Sequence, residues 1–135
     1  CMPVVRSLKR WWRNMLIQIG LAGLGAVIGS MGRFSLLEIA PKVFGTASAW
    51  MVMVINLTAA FLIGILFGMH LPLLQNTFWA TGIMGGYSTF STPIVELANG
   101  LPNQSERTRV LLKTVLAFAG GVPVLLIGFW IGSLF

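Results

Sequence analysis

Long apolar runs separated by short polar segments set the hydrophobic pattern of this chain. Each run is long enough for the roughly 20 apolar residues that a helix needs to cross a bilayer. The pattern therefore predicts four membrane-spanning helices, at about Met15–Leu37, Thr46–Gly68, Asn76–Ala98 and Thr108–Phe135. The predicted connections between them are Glu38–Gly45, Met69–Gln75 and Asn99–Arg107. The expected fold class is an all-α membrane protein with a single four-helix transmembrane domain over residues 1–135.

The composition agrees with a membrane protein and argues against an enzyme. Of the 135 residues, 56% are hydrophobic and 9% are charged, and the mean hydropathy is +0.88. A soluble domain carries about 25% charged residues, so this chain has too few charges to cover a soluble surface. The sequence offers one histidine, His70, in a predicted loop, and one cysteine, Cys1, without a nucleophile–base set or a metal cluster. We expect a multi-pass protein of the cell membrane that has no enzymatic activity.

The positive charges lie beside the apolar runs rather than in one patch. The net charge is +6, and juxtamembrane cations of this kind meet lipid headgroups, so we expect no nucleic-acid partner. The N-terminal flank, residues 1–14, holds two tryptophans and a group of cations: Trp11, Trp12, Arg6, Lys9, Arg10 and Arg13. It is interpreted first as a basic flank that orients the first span, with an amphipathic interfacial anchor as the alternative.

The charges on the two sides of the membrane are almost balanced. One side would carry the N-terminal cations, and the other would carry Lys42, Arg107, Arg109 and Lys113. Because Lys and Arg in short loops set the orientation, a balanced chain can insert both ways and assemble as an antiparallel pair, although the concentrated N-terminal cluster argues for one orientation. Spans one and four also carry small-residue pairs that let helices approach closely and that predict an oligomer: Gly25 with Gly29, and Gly128 with Gly132.

The third predicted span is interrupted by a stretch rich in glycine and hydroxyl residues, Thr81–Pro93. Glycine weakens a helix and proline removes a backbone donor, so a break is predicted at Gly85–Ser88. Irregular backbone at membrane depth must be buried in protein or line a wet cavity, and freed carbonyl oxygens there can coordinate a small hard cation. These hydroxyls either form a polar track or bond back to their own helix. The face concerned carries Ser88, Ser91, Thr92 and, one turn further, Glu96.

Two other polar residues lie in or beside the apolar runs. Arg33 follows the small-residue face of span one, where it either extends to the headgroups or is held in the protein and attracts an anion. Asn56 lies in the middle of span two, where an amide is costly unless it bonds a partner. It is interpreted either as a hydrogen-bonding contact between helices or as a donor that faces a permeating species.

Three segments of the chain resemble the Fluc/CrcB fluoride channels. Gly25–Phe34 is similar to the glycine-rich first-helix motif of that family, which ends in arginine and an aromatic residue. Val54–Phe61 is similar to its second-helix motif around asparagine. Gly85–Thr92, with the sequence Gly-Gly-Tyr-Ser-Thr-Phe-Ser-Thr, resembles its Gly-Gly-x-Thr-Thr-Phe-Ser-Thr signature. The resemblance extends over nearly all of the chain from span one onward.

The resemblance implies a dual-topology antiparallel dimer of four-helix subunits, with two fluoride pathways and a central sodium ion. It implies that the backbone carbonyls of Gly85 and Ser88 from both subunits hold the sodium, and that Arg33 lies near an aqueous vestibule. The implied function is passive, fluoride-selective export of cytoplasmic fluoride. The implied fluoride pathway is lined by Asn56, Phe90, Ser91, Thr92 and Glu96.

Three positions depart from the family pattern. Pro93 replaces the second phenylalanine of the aromatic box, Ala59 replaces a glycine, and Ser88 replaces the first signature threonine. Because proline has no ring quadrupole to present to an anion, two assemblies stay open: a homodimer, or a pair with a paralogous subunit in which this chain is half-conducting or non-conducting. A small proton-coupled four-helix exporter is a further alternative, although span one carries no central acid.

Overall fold

The structure is a computed structural model that describes residues 2–89 and 91–135. Side chains are described for all of these residues except 47–49, 91 and 92. The described chain consists of helices joined by short turns, which confirms the predicted all-α class. In chain order the elements are α1 (Met2–Phe44), a 3-10 segment (Gly45–Trp50), α2 (Met51–Gly68), α3 (Leu73–Asn76), a π-helical segment (Thr77–Met84), α4 (Gly85–Tyr87), α5 (Ser91–Gly100) and α6 (Gln104–Gly132).

Three of the described helices, α1, α2 and α6, are long and apolar enough to cross a membrane. The remaining predicted span is assembled from consecutive pieces, from α3 through the π-helical segment and α4 to α5. It is broken, as its glycine-rich stretch predicts, but later than the predicted position at Gly85–Ser88. Gly85–Tyr87 are helical as α4, Ser88 is extended with φ −74° and ψ 157°, and α5 begins at Ser91. Pro93 lies in the first turn of α5, where a missing backbone N–H removes no intrahelical bond.

The first helix is longer than predicted at both ends. Residues 2–14 continue the first span as regular helix, and the predicted connection Glu38–Gly45 is helical as far as Phe44. Pro41 lies within this last part of α1 without ending it. The helix ends instead at Gly45, which has φ +57°, a left-handed conformation that glycine adopts at little steric cost. The prediction of a connection at Glu38–Gly45 was wrong, since this segment continues α1 as far as Phe44.

Two further boundaries differ from the predicted ones. The 3-10 segment moves the start of α2 from Thr46 to Met51. The predicted polar loop Asn99–Arg107 is mostly helical, since α5 continues to Gly100 and α6 begins at Gln104. Hydrophobicity marks where a helix enters the bilayer, but polar residues extend a helix beyond that depth without any loss of backbone hydrogen bonds.

Glycine allows α1 to pack directly against the π-helical segment and α4. A Cβ atom placed on Gly25 would lie 2.6 Å from the carbonyl oxygen of Phe78 and 2.8 Å from the Cα atom of Gly82. A Cβ atom on Gly29 would overlap the carbonyl group of Ile83. The broken span is therefore held against α1 at backbone-to-backbone distance, which is the type of contact that small residues permit in lipid.

The same kind of contact joins α2 to α6. A Cβ atom on Gly128 would overlap the carbonyl of Phe61, and one on Gly64 would overlap the carbonyl of Leu125. Both small-residue pairs singled out in the sequence therefore pack inside the chain, and they do not by themselves support an oligomer. The glycines that lie in this interface are Gly64, Gly68, Gly128 and Gly132.

Most of the large apolar side chains face outward. Among the described residues, Ile55 is the only large side chain that is fully buried. Leu24, Phe34 and Trp130 are exposed by 64%, 67% and 66%. Such a surface is unfavourable in water but matches the acyl chains of a bilayer. Apart from Ile55, the buried apolar side chains among the described residues are small, namely Ala40, Ala59 and Ala80.

Candidate functional site

The break in the third span is held by one side chain from α2. The backbone N–H of Thr89 donates to Asn56 Oδ1 at 2.9 Å, and Asn56 Nδ2 donates to the Thr89 carbonyl at 2.7 Å. The amide of Asn56 thus satisfies both backbone groups of a buried residue, Thr89 being 9% exposed. An unpaired backbone group at membrane depth costs several kcal/mol. The two bonds from Asn56 remove this cost for both backbone groups of Thr89.

The same contact releases a carbonyl oxygen. In an unbroken α-helix, the N–H of Thr89 would donate to the carbonyl of Gly85, four residues earlier. Here that N–H donates to Asn56 instead, whereas the N–H of Ser88 still bonds to the carbonyl of Met84 at 2.9 Å. The last regular helical bond therefore ends at Met84, and the Gly85 carbonyl loses the donor that a continuous helix would give it.

Two donors from α1 reach the carbonyls on the other side of the break. Arg33 Nη1 donates to the Ser88 carbonyl at 3.2 Å, and Ser30 Oγ donates to the Gly86 carbonyl at 3.3 Å. Arg33 is half-buried. Its guanidinium therefore lies at the break itself and brings a fixed positive charge there.

The two carbonyls expected to hold sodium have different surroundings. The Gly85 carbonyl is the released one, and backbone oxygens of this kind are ligands that a hard cation accepts. The Ser88 carbonyl already accepts a bond from Arg33, so only its second lone pair is available and a like charge lies close by. Within residues 2–89 and 91–135 there is no group of three His, Cys, Asp or Glu side chains that could hold a metal ion.

An apolar groove of about 310 Å³ lies beside the break, between α2 and α6. Its polar lining consists of Asn56 and Ser88. Two site residues predicted from the sequence thus face the same groove. The other lining residues include Ala59, Ala60 and Phe118. Small side chains on α2 therefore leave space next to the amide that holds the break.

The predicted polar track after the break is described only in part. Phe90 lies outside the described residues, and Ser91 and Thr92 begin α5 with side chains that also lie outside them. Glu96 lies on α5, with Oε2 at 3.8 Å from Lys113 Nζ of α6. The structure therefore connects the last residue of the predicted track to a basic residue on a different helix.

Lys113 was missed as a site residue, since its sequence position indicated only a charge flanking the last span. Its side chain is 13% exposed, and its ammonium lies 5.1 Å from the centre of the Trp50 ring. A cleft of about 270 Å³ next to it is lined by charged residues from α5 and α6, among them Glu96, Arg109 and Lys113. The position of Lys113 inside the fourth predicted span could have identified it as a site residue. A lysine at that depth requires a counter-charge, and Glu96 is the acid within the third span.

Fold and site together define a small multi-pass membrane protein whose polar centre is a helix break made of backbone groups and held by one amide. The profile of the CrcB-like protein, Camphor Resistance (CrcB), matches residues 20–129. The chain belongs to this family.

Curated relatives match the chain over most of its length. The Fluoride-specific ion channel FluC 2 of Lactobacillus delbrueckii subsp. bulgaricus is 37% identical over 115 residues, which cover 83% of this chain and 95% of the relative. FluC 1 of Lactiplantibacillus plantarum is 36% identical over 115 residues, which cover 84% of this chain and 97% of the relative. FluC 2 of Lactobacillus johnsonii is 30% identical over 119 residues, which cover 88% of this chain and 99% of the relative. The relatives are thus matched almost end to end, and the part of this chain before residue 20 precedes the family match.

Proposed function

We propose that this chain forms a passive, fluoride-selective ion channel that lets cytoplasmic fluoride leave the cell. The observation that carries the proposal is the amide-held break in the third span of a chain whose relatives are named fluoride-specific ion channels. The break leaves polar groups at membrane depth next to an open groove. Polar groups at this depth offer an ion hydrogen-bonding partners that lipid cannot supply.

Fluoride is small and strongly hydrated, so a selective path must replace its water with donors. Asn56 Nδ2 carries two N–H groups, of which one bonds to the Thr89 carbonyl, so the second is available to an anion in the groove. The hydroxyls of Ser91 and Thr92 would add donors, and the ring edge of Phe90 carries positive quadrupole charge. Glu96 would lie at the end of this path, where Lys113 compensates its charge.

We further propose that the channel is an antiparallel dimer with a sodium ion at its centre. The Gly85 and Ser88 carbonyls of each of the two subunits would hold that ion. When bound, sodium would contribute a fixed positive charge that attracts anions and joins the two broken helices. Arg33 would add its own positive charge beside the Ser88 carbonyl, which draws anions toward the break.

A partner subunit of a heterodimer is the second candidate function, and Pro93 favours it. Pro93 is buried in its own chain and offers no aromatic ring at the position after Thr92. A pathway that requires two rings would then need the second ring from a paralogue. The exporter alternative loses support, because Glu96 is paired with Lys113 and Glu38 and Glu106 are exposed at the helix ends.

Fluoride efflux from liposomes tests the proposal. Vesicles loaded with fluoride and chloride would be reconstituted with the purified chain, alone and together with a paralogous chain, and each anion would be followed with its own electrode. We expect rapid fluoride release and little chloride release in at least one of the two preparations. Release of fluoride only with the paralogue would favour the heterodimer, whereas no fluoride release in either preparation would refute the channel function.

A further inference from the structure

The first 14 residues carry a feature that the channel function does not use. Residues 2–14 form the exposed beginning of α1, ahead of the region that matches the family. At about 100° per residue, cations spaced three, four and seven residues apart share one helix face. All four of them are exposed and line one shallow groove: Arg6, Lys9, Arg10 and Arg13. We call this face the basic stripe.

Among the described residues, no acidic side chain pairs with the basic stripe. The ion pair found in this part of the chain joins Glu96 to Lys113, and the first turn of α1 contains no acid. Four like charges on adjacent turns repel one another unless an anion lies among them. A surface of this kind is therefore electrostatically suited to groups that carry negative charge.

The opposite face of the same segment is apolar. Val4, Leu8, Trp11 and Trp12 are exposed by 59%, 51%, 56% and 56%, and the two indole rings meet edge to face with their centres 5.4 Å apart. Tryptophan prefers the headgroup region, where one side of the ring is apolar and the other is wet. A helix with both faces therefore suits the boundary between lipid and water better than it suits bulk water or a nucleic acid.

The distance from the apolar part of α1 places the stripe at headgroup depth. The apolar run begins at Met15, and a helix rises about 1.5 Å per residue. Arg13 and Arg10 then lie about 3 and 8 Å beyond that residue, within a headgroup layer that is about 5–8 Å thick on each side. Lys9 and Arg6 lie within about one further Debye length of that layer.

We propose that the basic stripe binds the phosphates of acidic phospholipid headgroups next to the end of the first span. The cations at headgroup depth contact the phosphates directly, and the outer two add long-range attraction. Trp12 and Trp11, about 5 and 6 Å beyond Met15 on the apolar face, lie in the same headgroup layer. This lipid contact is a property of the segment that precedes the family match, and it is separate from ion conduction.

Lipid selectivity measured with spin-labelled phospholipids tests this proposal. The purified chain would be reconstituted in phosphatidylcholine bilayers that contain traces of spin-labelled phosphatidylglycerol or spin-labelled phosphatidylcholine. The ratio of the two motionally restricted fractions reports the preference for the acidic lipid. We expect a ratio well above one for the unaltered chain, and we expect it to fall toward one between 0.05 and 0.5 M salt, because screening weakens surface attraction.

Three variants separate the basic stripe from other sources of attraction. Replacement R10Q/R13Q is expected to lower the ratio at least twofold, whereas K42Q/R109Q, which removes the same charge elsewhere, is expected to change it much less. The exchange R6L/L8R with R10W/W12R keeps the composition and the net charge but mixes the two faces, and it is also expected to lower the ratio.

Three results would overturn the proposal. They are an unchanged ratio in R10Q/R13Q, an equal loss in K42Q/R109Q, and an unchanged preference for the acidic lipid in R6L/L8R with R10W/W12R. Added inorganic phosphate serves as a control for the source of the anion. If a few millimolar phosphate abolished the preference at constant ionic strength, the stripe would be a site for free phosphate rather than for headgroups. The salt titration of the unaltered chain decides the question even if a variant fails to fold.

Discussion

Asn56 pairs the backbone groups of the residue after the break and leaves one carbonyl before the break without its helical donor. Its amide bonds to both the N–H and the carbonyl of Thr89, and the diverted N–H leaves the Gly85 carbonyl without its helical donor. The sequence alone identified Asn56 as costly at its depth and left two interpretations open. The two are compatible, because an amide with two N–H groups can hold a neighbouring helix and still donate to an ion.

The pairing of Glu96 with Lys113 leads to a prediction about stability. Glu96 is 39% exposed and Lys113 is 13% exposed, so solvent screening keeps the attraction small, at about 0.5–1 kcal/mol. E96Q alone leaves the Lys113 ammonium without its carboxylate, whereas E96Q/K113M removes both charges. We therefore expect the double variant to be as stable as E96Q or more stable than it, as judged by thermal unfolding in detergent.

A double-mutant cycle gives the coupling of this pair directly. Its terms are the unfolding free energies of the unaltered chain, E96Q, K113M and the double variant. Additive effects of the two single substitutions would show that the ion pair contributes nothing to stability. In that case the contact with the ring of Trp50 would account for the position of Lys113.

Sequence spacing could not reveal the partners of these residues. Asn56 and Thr89 are 33 positions apart, and Arg33 and Ser88 are 55 positions apart. Hydrophobic periodicity shows which face of a helix avoids water, but it does not show which polar atoms meet across two helices. The cost of an unpaired polar group in lipid indicates that a partner must exist, and only the packing of the helices identifies it.

The packed glycines at the element scale lead to a second prediction. G29A places a methyl group on the backbone carbonyl of Ile83, and a backbone neighbour cannot rotate away. α1 must then separate from the π-helical segment, which is expected to cost about 1–3 kcal/mol. The measurement is the thermal midpoint of the purified protein in detergent, together with the recovery of a monodisperse species.

A matched control is available on the same helix. A Cβ atom on Gly20 would meet nothing within 4 Å, and alanine favours a helix over glycine by up to about 1 kcal/mol. G20A is therefore expected to be neutral or slightly stabilising. If G29A and G20A shifted the thermal midpoint equally, the close contact between α1 and the broken span would not contribute to stability.

Some elements followed from the sequence and others did not. The break was predictable because Gly85, Gly86 and Pro93 all weaken a helix within a single span. The end of α1 was not predictable from Pro41, since the proline is accommodated inside the helix and Gly45 ends it with a positive φ. The helical N-terminal flank also escaped the hydrophobic pattern, because polar residues beyond the bilayer carry no burial signal.

The whole molecule is expected to depend on sodium. The Gly85 and Ser88 carbonyls of two copies would share one ion, so replacement of sodium by a large organic cation is expected to weaken the dimer and slow fluoride efflux at least tenfold. Single-molecule photobleaching in lipid gives the dimer fraction independently of transport. A dimer fraction and a flux that are both unchanged without sodium would rule out the proposed central ion while leaving the channel function intact.

The most direct measurement concerns fluoride efflux through chains altered at Asn56. N56L removes both bonds to Thr89 and the spare N–H, and T77V serves as its control because the Thr77 hydroxyl bonds to the Leu73 carbonyl of the preceding turn. We predict that N56L, reconstituted as a folded protein with unchanged oligomeric state, releases fluoride at least 100-fold more slowly than the unaltered chain, whereas T77V stays within about threefold. A folded N56L protein with unaltered fluoride efflux would contradict the claim that fluoride crosses the membrane at the break that Asn56 holds.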